Sequence, residues 1–323
     1  MDFGIIGLGN HSTNRVIPAI RAAGFSIGSI YSSDAAKGTE VAKENGSEYY
    51  SDLKRMLSSR VEAVYIGSPN FLHYPQAKLA LEAGKHVLLE KQMTLSVKEA
   101  ADLVSLSRKN GLKLAVGFHM RFHPAVKKIR DSVQAGDLGK PVAAFGMWGG
   151  PPSSPHTSEK QKWWTEDEKV GGGSIMGTGV HVIDTIIYAL GGKPEAVSSV
   201  KFPRGSVIEE TQQVSLAYPD MIATAISSRS TPDPDNSLYI FGTKGTAVGR
   251  GIFGVTIKGS LERNGKIVDT YNGGSPYEGE IRSFASFASG EEANIASGED
   301  GEAVVRIVNA ANESAATGRV VSL

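Results

Sequence analysis

The chain has 323 residues, 34 basic and 34 acidic side chains, and no cysteine. Zero formal net charge gives no electrostatic reason to expect nucleic acid or an anionic membrane as a partner, and the absence of thiols excludes disulfides and thiolate metal sites. The N-terminus, MDFGIIGLGN, lacks the basic region of a signal peptide, and no apolar run reaches the roughly 18 residues of a membrane span. A cytoplasmic protein of about two domains, without a metal, is expected.

Over residues 1–118 short apolar runs alternate with amphipathic stretches. FGIIGL (3–8), SIGSIY (26–31), AVYIGS (63–68), HVLLE (86–90) and KLAVGF (113–118) read as strands. VIPAIRAA, YPQAKLALEAG and VKEAADLVSLSRKNG read as helices between them. Strands that are apolar throughout belong in a parallel sheet covered on both faces, and the spacing suits right-handed crossovers. The fold class is therefore α/β, with a doubly wound N-terminal domain at 1–118.

From residue 119 the pattern changes. A helix near 123–135 is followed by VAAFGMWG, a polar loop (PPSSPHTSEKQ) and an apolar helix over 174–190. AVSSVKF, QQVSLAY, MIATAISS, SLYIFG, IFGVTIKG and KIVDTY then read as strands between Gly, Pro and Asp turns. Period-two alternation predicts a large, mostly antiparallel sheet with one face covered. Two helices, EIRSFASFASG and EDGEAVVRIVNAANESAATG, follow, and 119–323 is assigned to a second α/β domain. No repeat or low-complexity tract is present.

The first strand runs into GLGNHS. Gly7 permits a tight turn and Gly9 lets a pyrophosphate approach the backbone at a helix N-terminus, with Leu8, Asn10 and His11 completing the loop. Ser12 replaces the third glycine of the dinucleotide fingerprint. The second strand ends in YSSDAAKG, where a carboxylate would bind a free ribose 2′-hydroxyl. Ser32 and Ser33 with Lys37 suit a 2′-phosphate instead, so NADP is expected over NAD; alternatively, the two serines only cap the helix. Glu90 and Lys91 end the fourth predicted strand, at the carboxyl edge where open parallel sheets bind ligands. By themselves they also read as an ordinary exposed pair.

GLGNHS, SPNFLH, AGKHVLLEK, the GGG–His–Asp segment at 171–184 and ANESAATGRVVSL, in that order, resemble the glucose–fructose oxidoreductase and inositol dehydrogenase family. The resemblance covers nearly the whole chain. It implies an N-terminal Rossmann domain and a C-terminal α/β domain whose open sheet often joins subunits, hence a homodimer or homotetramer. It also implies hydride transfer between a nicotinamide and a sugar, polyol or related carbonyl.

Carried onto this chain, the resemblance makes Lys91 the catalytic cation at the reacting oxygen, with Glu90 beside it. It lines the nicotinamide side with Ser68, Pro69, Asn70 and His73, and places Arg121, Trp163 and Asp184 toward the substrate. His181, which periodicity alone reads as a core histidine, becomes the acid/base group. Three positions depart from the family. Gln92 replaces a proline, so a trans Lys91–Gln92 bond is expected, or else a strained one held in place by its surroundings. Gly177 replaces an aspartate one helical turn before His181, and Trp164 replaces an arginine. These losses keep a catalytically weak nucleotide-binding sensor or scaffold as the alternative reading.

Overall fold

The computed structural model describes residues 1–151, 166–232 and 234–323. Trp163, Trp164 and most of the polar loop before them lie outside the described residues. The chain divides into two units, 1–119 with 277–302, and 120–276 with 303–323. The segment 277–302, which follows the strands of the second unit in sequence, lies in the first unit.

The first unit is a Rossmann sheet. Its parallel strands are β1 (Asp2–Ile6), β2 (Ser26–Tyr31), β3 (Glu48–Tyr50), β4 (Ala63–Ile66), β5 (His86–Leu89) and β6 (Leu114–Val116), in the order β6-β5-β4-β1-β2-β3. The helices between them are α1 (Ile17–Ala22), α2 (Ala35–Asn45), α3 (Leu53–Leu57), α4 (Asn70–Glu82) and α5 (Val97–Lys109). Ile5, Ile6, Val64, Ile66, Leu88 and Leu89 are fully buried, as continuously apolar strands require. Strand order reverses between β1 and β4, and that switch point opens a crevice at the carboxyl ends of the strands. β3 is only three residues long, too short for periodicity to reveal.

Three elements of the second unit precede its main sheet helix: α6 (Pro124–Gln134), β7 (Pro141–Gly149) and α7 (Asp167–Val170). A π-helical turn at Ile175–Gly179 then leads into α8 (Val180–Leu190). The remaining strands are β8 (Ala196–Phe202), β9 (Thr211–Ala217), β10 (Ile222–Ser228), β11 (Leu238–Gly242), β12 (Thr246–Arg250), β13 (Lys258–Arg263) and β14 (Lys266–Asn272). The chain continues through α9 (Pro276–Ala288), β15 (Ala296–Ser297), α10 (Gly298–Thr317) and β16 (Val321–Ser322). Sheet order is β14-β13-β12-β11-β7-β10-β9-β8-β16, antiparallel except for β7 with β10.

One face of this sheet carries Ala144, Val197, Val214, Leu216, Ala223 and Ile240, all buried. Gly146 has no side chain because Val182 of α8 would lie 2.7 Å from its Cβ. The opposite face leaves Val200, Phe202 and Phe241 exposed.

IFGVTIKG, expected as a strand, is not one until its last two residues, which open β13. Gly251, at a φ of +60°, turns the chain out of β12, and Ile252 and Phe253 plug the core rather than extend the ladder. Phe253 stacks on Trp148 at 5.7 Å. The return of 277–302 has a similar tertiary cause. β15 adds antiparallel to β6, and the Arg282 guanidinium donates to the carbonyl oxygens of Ala22 and Ala23, capping the end of α1. Among the described residues no helix is long and apolar enough to cross a membrane.

Candidate active site

The loop after β1 is built for close backbone approach. Gly7 has a φ of +92°, and a Cβ there would sit 2.8 Å from the amide nitrogen of Ser68, so only glycine fits on both counts. At Gly9 a Cβ would meet nothing nearer than the Gly67 carbonyl oxygen at 3.8 Å. Its bare backbone is thus unshielded by neighbours, as the second glycine of a dinucleotide loop must be. Ser12 is fully buried, and Gly67 makes room for it, since a Cβ on Gly67 would lie 2.5 Å from the serine oxygen. The departure at the third glycine is matched across the switch point. These features fit a nicotinamide dinucleotide.

At the end of β2 the capping residue is Asp34, not the serines: its carboxylate accepts from the Lys37 amide at 3.2 Å. The buried Ser32 hydroxyl oxygen accepts from the Asp34 amide at 3.1 Å, which leaves its O–H for donation. Ser33 is exposed and Lys37 half-buried.

After β4, Ser68 and Pro69 lead into α4, which begins at Asn70. His73 is buried, with Nδ1 2.7 Å from the Gln92 carbonyl oxygen and Nε2 2.8 Å from that of Ser68. Both partners only accept, so two full hydrogen bonds need an imidazolium. Burial lowers the ring's pKa, against the pull of the two carbonyls. His73, placed by resemblance on the nicotinamide side, uses both nitrogens to tie the loop after β4 to the loop after β5. The Lys91–Gln92 bond is cis, so the trans alternative does not hold, and the His73 contact holds the Gln92 carbonyl in place. The buried Gln92 carboxamide has no hydrogen-bond partner among the described residues. Each such group costs about 1–3 kcal/mol.

Glu90 and Lys91 are not an exposed pair. Glu90 is buried, and its Oε1 accepts from the Tyr65 hydroxyl at 3.1 Å and lies 3.2 Å from His11 Nε2. The histidine contact is a charge approach more than an aligned hydrogen bond. Burial alone would raise the carboxyl pKa, but His11, Lys91 and His119 outweigh it and hold it at about 2. Lys91 is half-buried, and burial lowers its pKa while Glu90 opposes. A permanent carboxylate beside an ammonium of reduced basicity can steady negative charge on an oxygen and give up a proton at modest cost.

In the second unit the three glycines at 171–173 serve a carboxylate that sequence reading missed. Glu209 is fully buried and accepts from the amides of Gly173 (2.8 Å) and Ile175 (2.7 Å) and from the Ser174 hydroxyl (3.1 Å). It caps the first turn leading to α8. A Cβ on Gly173 would overlap the Glu209 carbonyl oxygen, so the backbones touch there. A run of glycines before an apolar helix was the available signal, but nothing in SVIEE named the partner.

His181 is buried on α8, and its ring lies 5.2 Å from that of Trp148. Among the described residues, a Cβ on Gly177 meets nothing within 4 Å, so a side chain can start at the position that the resemblance fills with aspartate. Arg121 and Asp184, both placed by resemblance at the substrate, are bound to each other. Arg121 Nη2 donates to Asp184 Oδ1 at 2.6 Å and Nε to Oδ2 at 3.0 Å, and both side chains are buried. The Arg121 and Arg130 guanidiniums both lie over the Tyr188 ring, at 5.0 and 4.2 Å from its centre. The geometry makes Arg121 and Asp184 a brace between the start of the unit and α8.

A glycine cradle at the switch point of a Rossmann sheet, carried in one chain with an α/β domain whose large sheet has an open face, defines the NAD(P)-linked oxidoreductase class. The chain belongs to the GFO/IDH/MocA family: residues 1–118 match the oxidoreductase family, NAD-binding Rossmann fold, and 126–248 match the GFO/IDH/MocA C-terminal domain. It is 28% identical to a 1,5-anhydro-D-fructose reductase of Ensifer adhaerens, covering 99% of this chain and 98% of that one. It is likewise 28% identical to a D-xylose 1-dehydrogenase (NADP(+)) of Haloferax volcanii, over 100% of both. Among solved structures, an aldose-aldose oxidoreductase from Caulobacter crescentus with glycerol superposes with a TM-score of 0.87 at 23% identity, over 100% of this chain and 99% of that one. A levoglucosan dehydrogenase with NADH and levoglucosan gives 0.87 at 21% identity, with the same coverage. At these identities the structures establish the fold.

Proposed function

We propose that this chain is an NADP-preferring oxidoreductase that interconverts a hydroxyl and a carbonyl on a sugar or polyol. The observation that carries the reading is the Glu90–Lys91 pair at the carboxyl edge of the Rossmann sheet, a fixed carboxylate next to a lysine of lowered pKa. The dinucleotide, when bound, supplies or accepts the hydride. The backbone of Gly7, Leu8, Gly9, Asn10 and His11 receives the pyrophosphate. The Ser32 and Ser33 hydroxyls and Lys37 receive the 2′-phosphate. Ser68, Pro69 and Asn70 line the nicotinamide side, with His73 fixing their loop.

Lys91 steadies negative charge on the reacting oxygen, and His181 exchanges the proton with it. Arg121 and Asp184 act by holding α8. Trp163 is assigned to the substrate on resemblance alone. The names of the relatives support a sugar-like substrate, and the NADP(+) in one of them supports the cofactor preference. The exposed apolar face with Val200, Phe202 and Phe241 supports a homodimer or homotetramer formed through the sheet of the second unit.

The test is a panel of aldoses, ketoses and polyols offered with NADP(H) or NAD(H) while nicotinamide absorbance is followed. Turnover with NADP(H) ahead of NAD(H) is expected, and Ser32→Asp should reverse the order by repelling the 2′-phosphate. A wild type that binds NAD at least as tightly as NADP removes the preference. Dinucleotide binding without turnover on any member favours the sensor reading.

A further inference from the structure

We infer that His11 is a positioning residue for Lys91, acting through the Glu90 carboxylate that both approach. The inference rests on the assignment of Lys91 to the reacting oxygen. A dinucleotide loop uses backbone at this position, so its chemistry does not call for an imidazole. Here the imidazole turns to the buried carboxylate, with Nε2 3.2 Å from Glu90 Oε1.

Both groups are held in place. The Tyr277 ring packs edge-on against His11 at 5.1 Å and lies 4.7 Å from the His119 ring. The Glu90 carboxylate fills the space that Gly117 leaves, since a Cβ there would be 2.9 Å from Oε1. Tyr65 donates to the same oxygen. The charged and titratable groups facing this centre are Lys91 and His119 beside Glu90, and His73 beside the Glu90–Lys91 pair. Glu280 and Arg15 act on Tyr277.

Exposure gives the arrangement its direction. The His11 side chain is 37% exposed and that of Glu90 11%, so solvent reaches the imidazole more readily than the carboxylate. With His11 neutral, the carboxylate serves Lys91 and holds its ammonium. With His11 protonated, a second cation shares the carboxylate and Lys91 releases its proton more readily. The charge on the imidazole thus sets how firmly the shared carboxylate holds the lysine's proton.

The test is labelling of the full chain with an amine-reactive ester, read by peptide mass spectrometry from pH 8.5 to 5.5. Lys91 modification is normalised to the exposed Lys54. In the wild type the Lys91/Lys54 ratio should rise about three- to tenfold as pH falls, tenfold being one pKa unit. In His11→Gln it should stay flat. In Glu90→Gln, adding His11→Gln should change nothing further, because the shared group is gone. Equal profiles in wild type and His11→Gln, or an undiminished His11 effect without Glu90, overturn the inference. The readout needs no cofactor, so Lys91→Ala retaining turnover would remove the catalytic assignment while the labelling result stood.

Discussion

The two halves of the candidate machinery are held by different physics. In the Rossmann unit the polar groups sit on loops at the ends of neighbouring strands, and short contacts tie those loops together: Gly7 against Ser68, His73 between Ser68 and Gln92, His11 on Glu90. In the second unit the polar groups lie along one helix and are satisfied by distant partners, Glu209 for the first turn and Arg121 for Asp184. The first arrangement gathers charge around a lysine and shifts its acidity. The second fixes the orientation of a histidine by burying ions that cannot be left alone. Changes in the second unit should therefore appear first as lost stability, and changes in the first as altered chemistry.

The largest effect is expected at the buried ion pair. Asp184→Ala leaves the Arg121 guanidinium buried without its carboxylate, which costs about 3–5 kcal/mol. Urea unfolding checks this, and a loss below about 1 kcal/mol would show that the pair is not a brace.

Acid should separate the units next. His123 accepts from the Ala125 amide through Nδ1 and faces the Lys258 carbonyl oxygen with Nε2, so it is held neutral. Burial, against the pull of that carbonyl, lowers its pKa to about 4. Its unfolded value is about 6.5, so between these values the unfolded chain binds the extra proton and stability is lost as pH falls. The loss reaches about 3 kcal/mol. The Glu90 contribution in the first unit is present above about pH 4.5 and is lost only as pH falls toward 2. Tryptophan fluorescence sees the second unit, because all three tryptophans lie between 148 and 164. Urea midpoints read this way should fall between pH 6.5 and 4.5 in the wild type and less in His123→Gln. Parallel curves would place the acid sensitivity elsewhere.

The two glycines at 173 and 177 should give smaller effects of opposite sign. Gly173→Ala drives a Cβ into the Glu209 carbonyl and should cost about 1–3 kcal/mol. Gly177→Ala meets no described atom within 4 Å of its Cβ, on a helical turn, and should stabilise by about 0.5–1 kcal/mol. Melting temperatures of the two variants, moving in the same direction, would contradict the contact with Glu209.

How much of this was legible follows the same division. β2 and β8 begin and end where the apolar runs do, because period and length suffice when neighbours in sequence decide the structure. The glycine loop and the Glu90–Lys91 pair were readable because strand ends carry their own signals. IFGVTIKG was misread because Phe253 answers to Trp148, far away in sequence. Glu209, the Arg121–Asp184 brace and the return of 277–302 are likewise tertiary pairings that a linear pattern does not encode. The cis bond at Gln92 is the reverse case: the family's proline is gone, yet the backbone keeps a geometry that the local sequence argued against.

The central claim is that Lys91 acts on the reacting oxygen rather than on the dinucleotide. Its most direct test is the turnover of wild type and Lys91→Ala, followed by nicotinamide absorbance on the best substrate of the panel, with NADP affinity measured on both. The account predicts a loss in kcat on the order of 10²–10³-fold with dinucleotide affinity changed by no more than a few-fold. A variant that turns over within a few-fold of wild type, or that loses affinity for the dinucleotide in proportion to its rate, would contradict it.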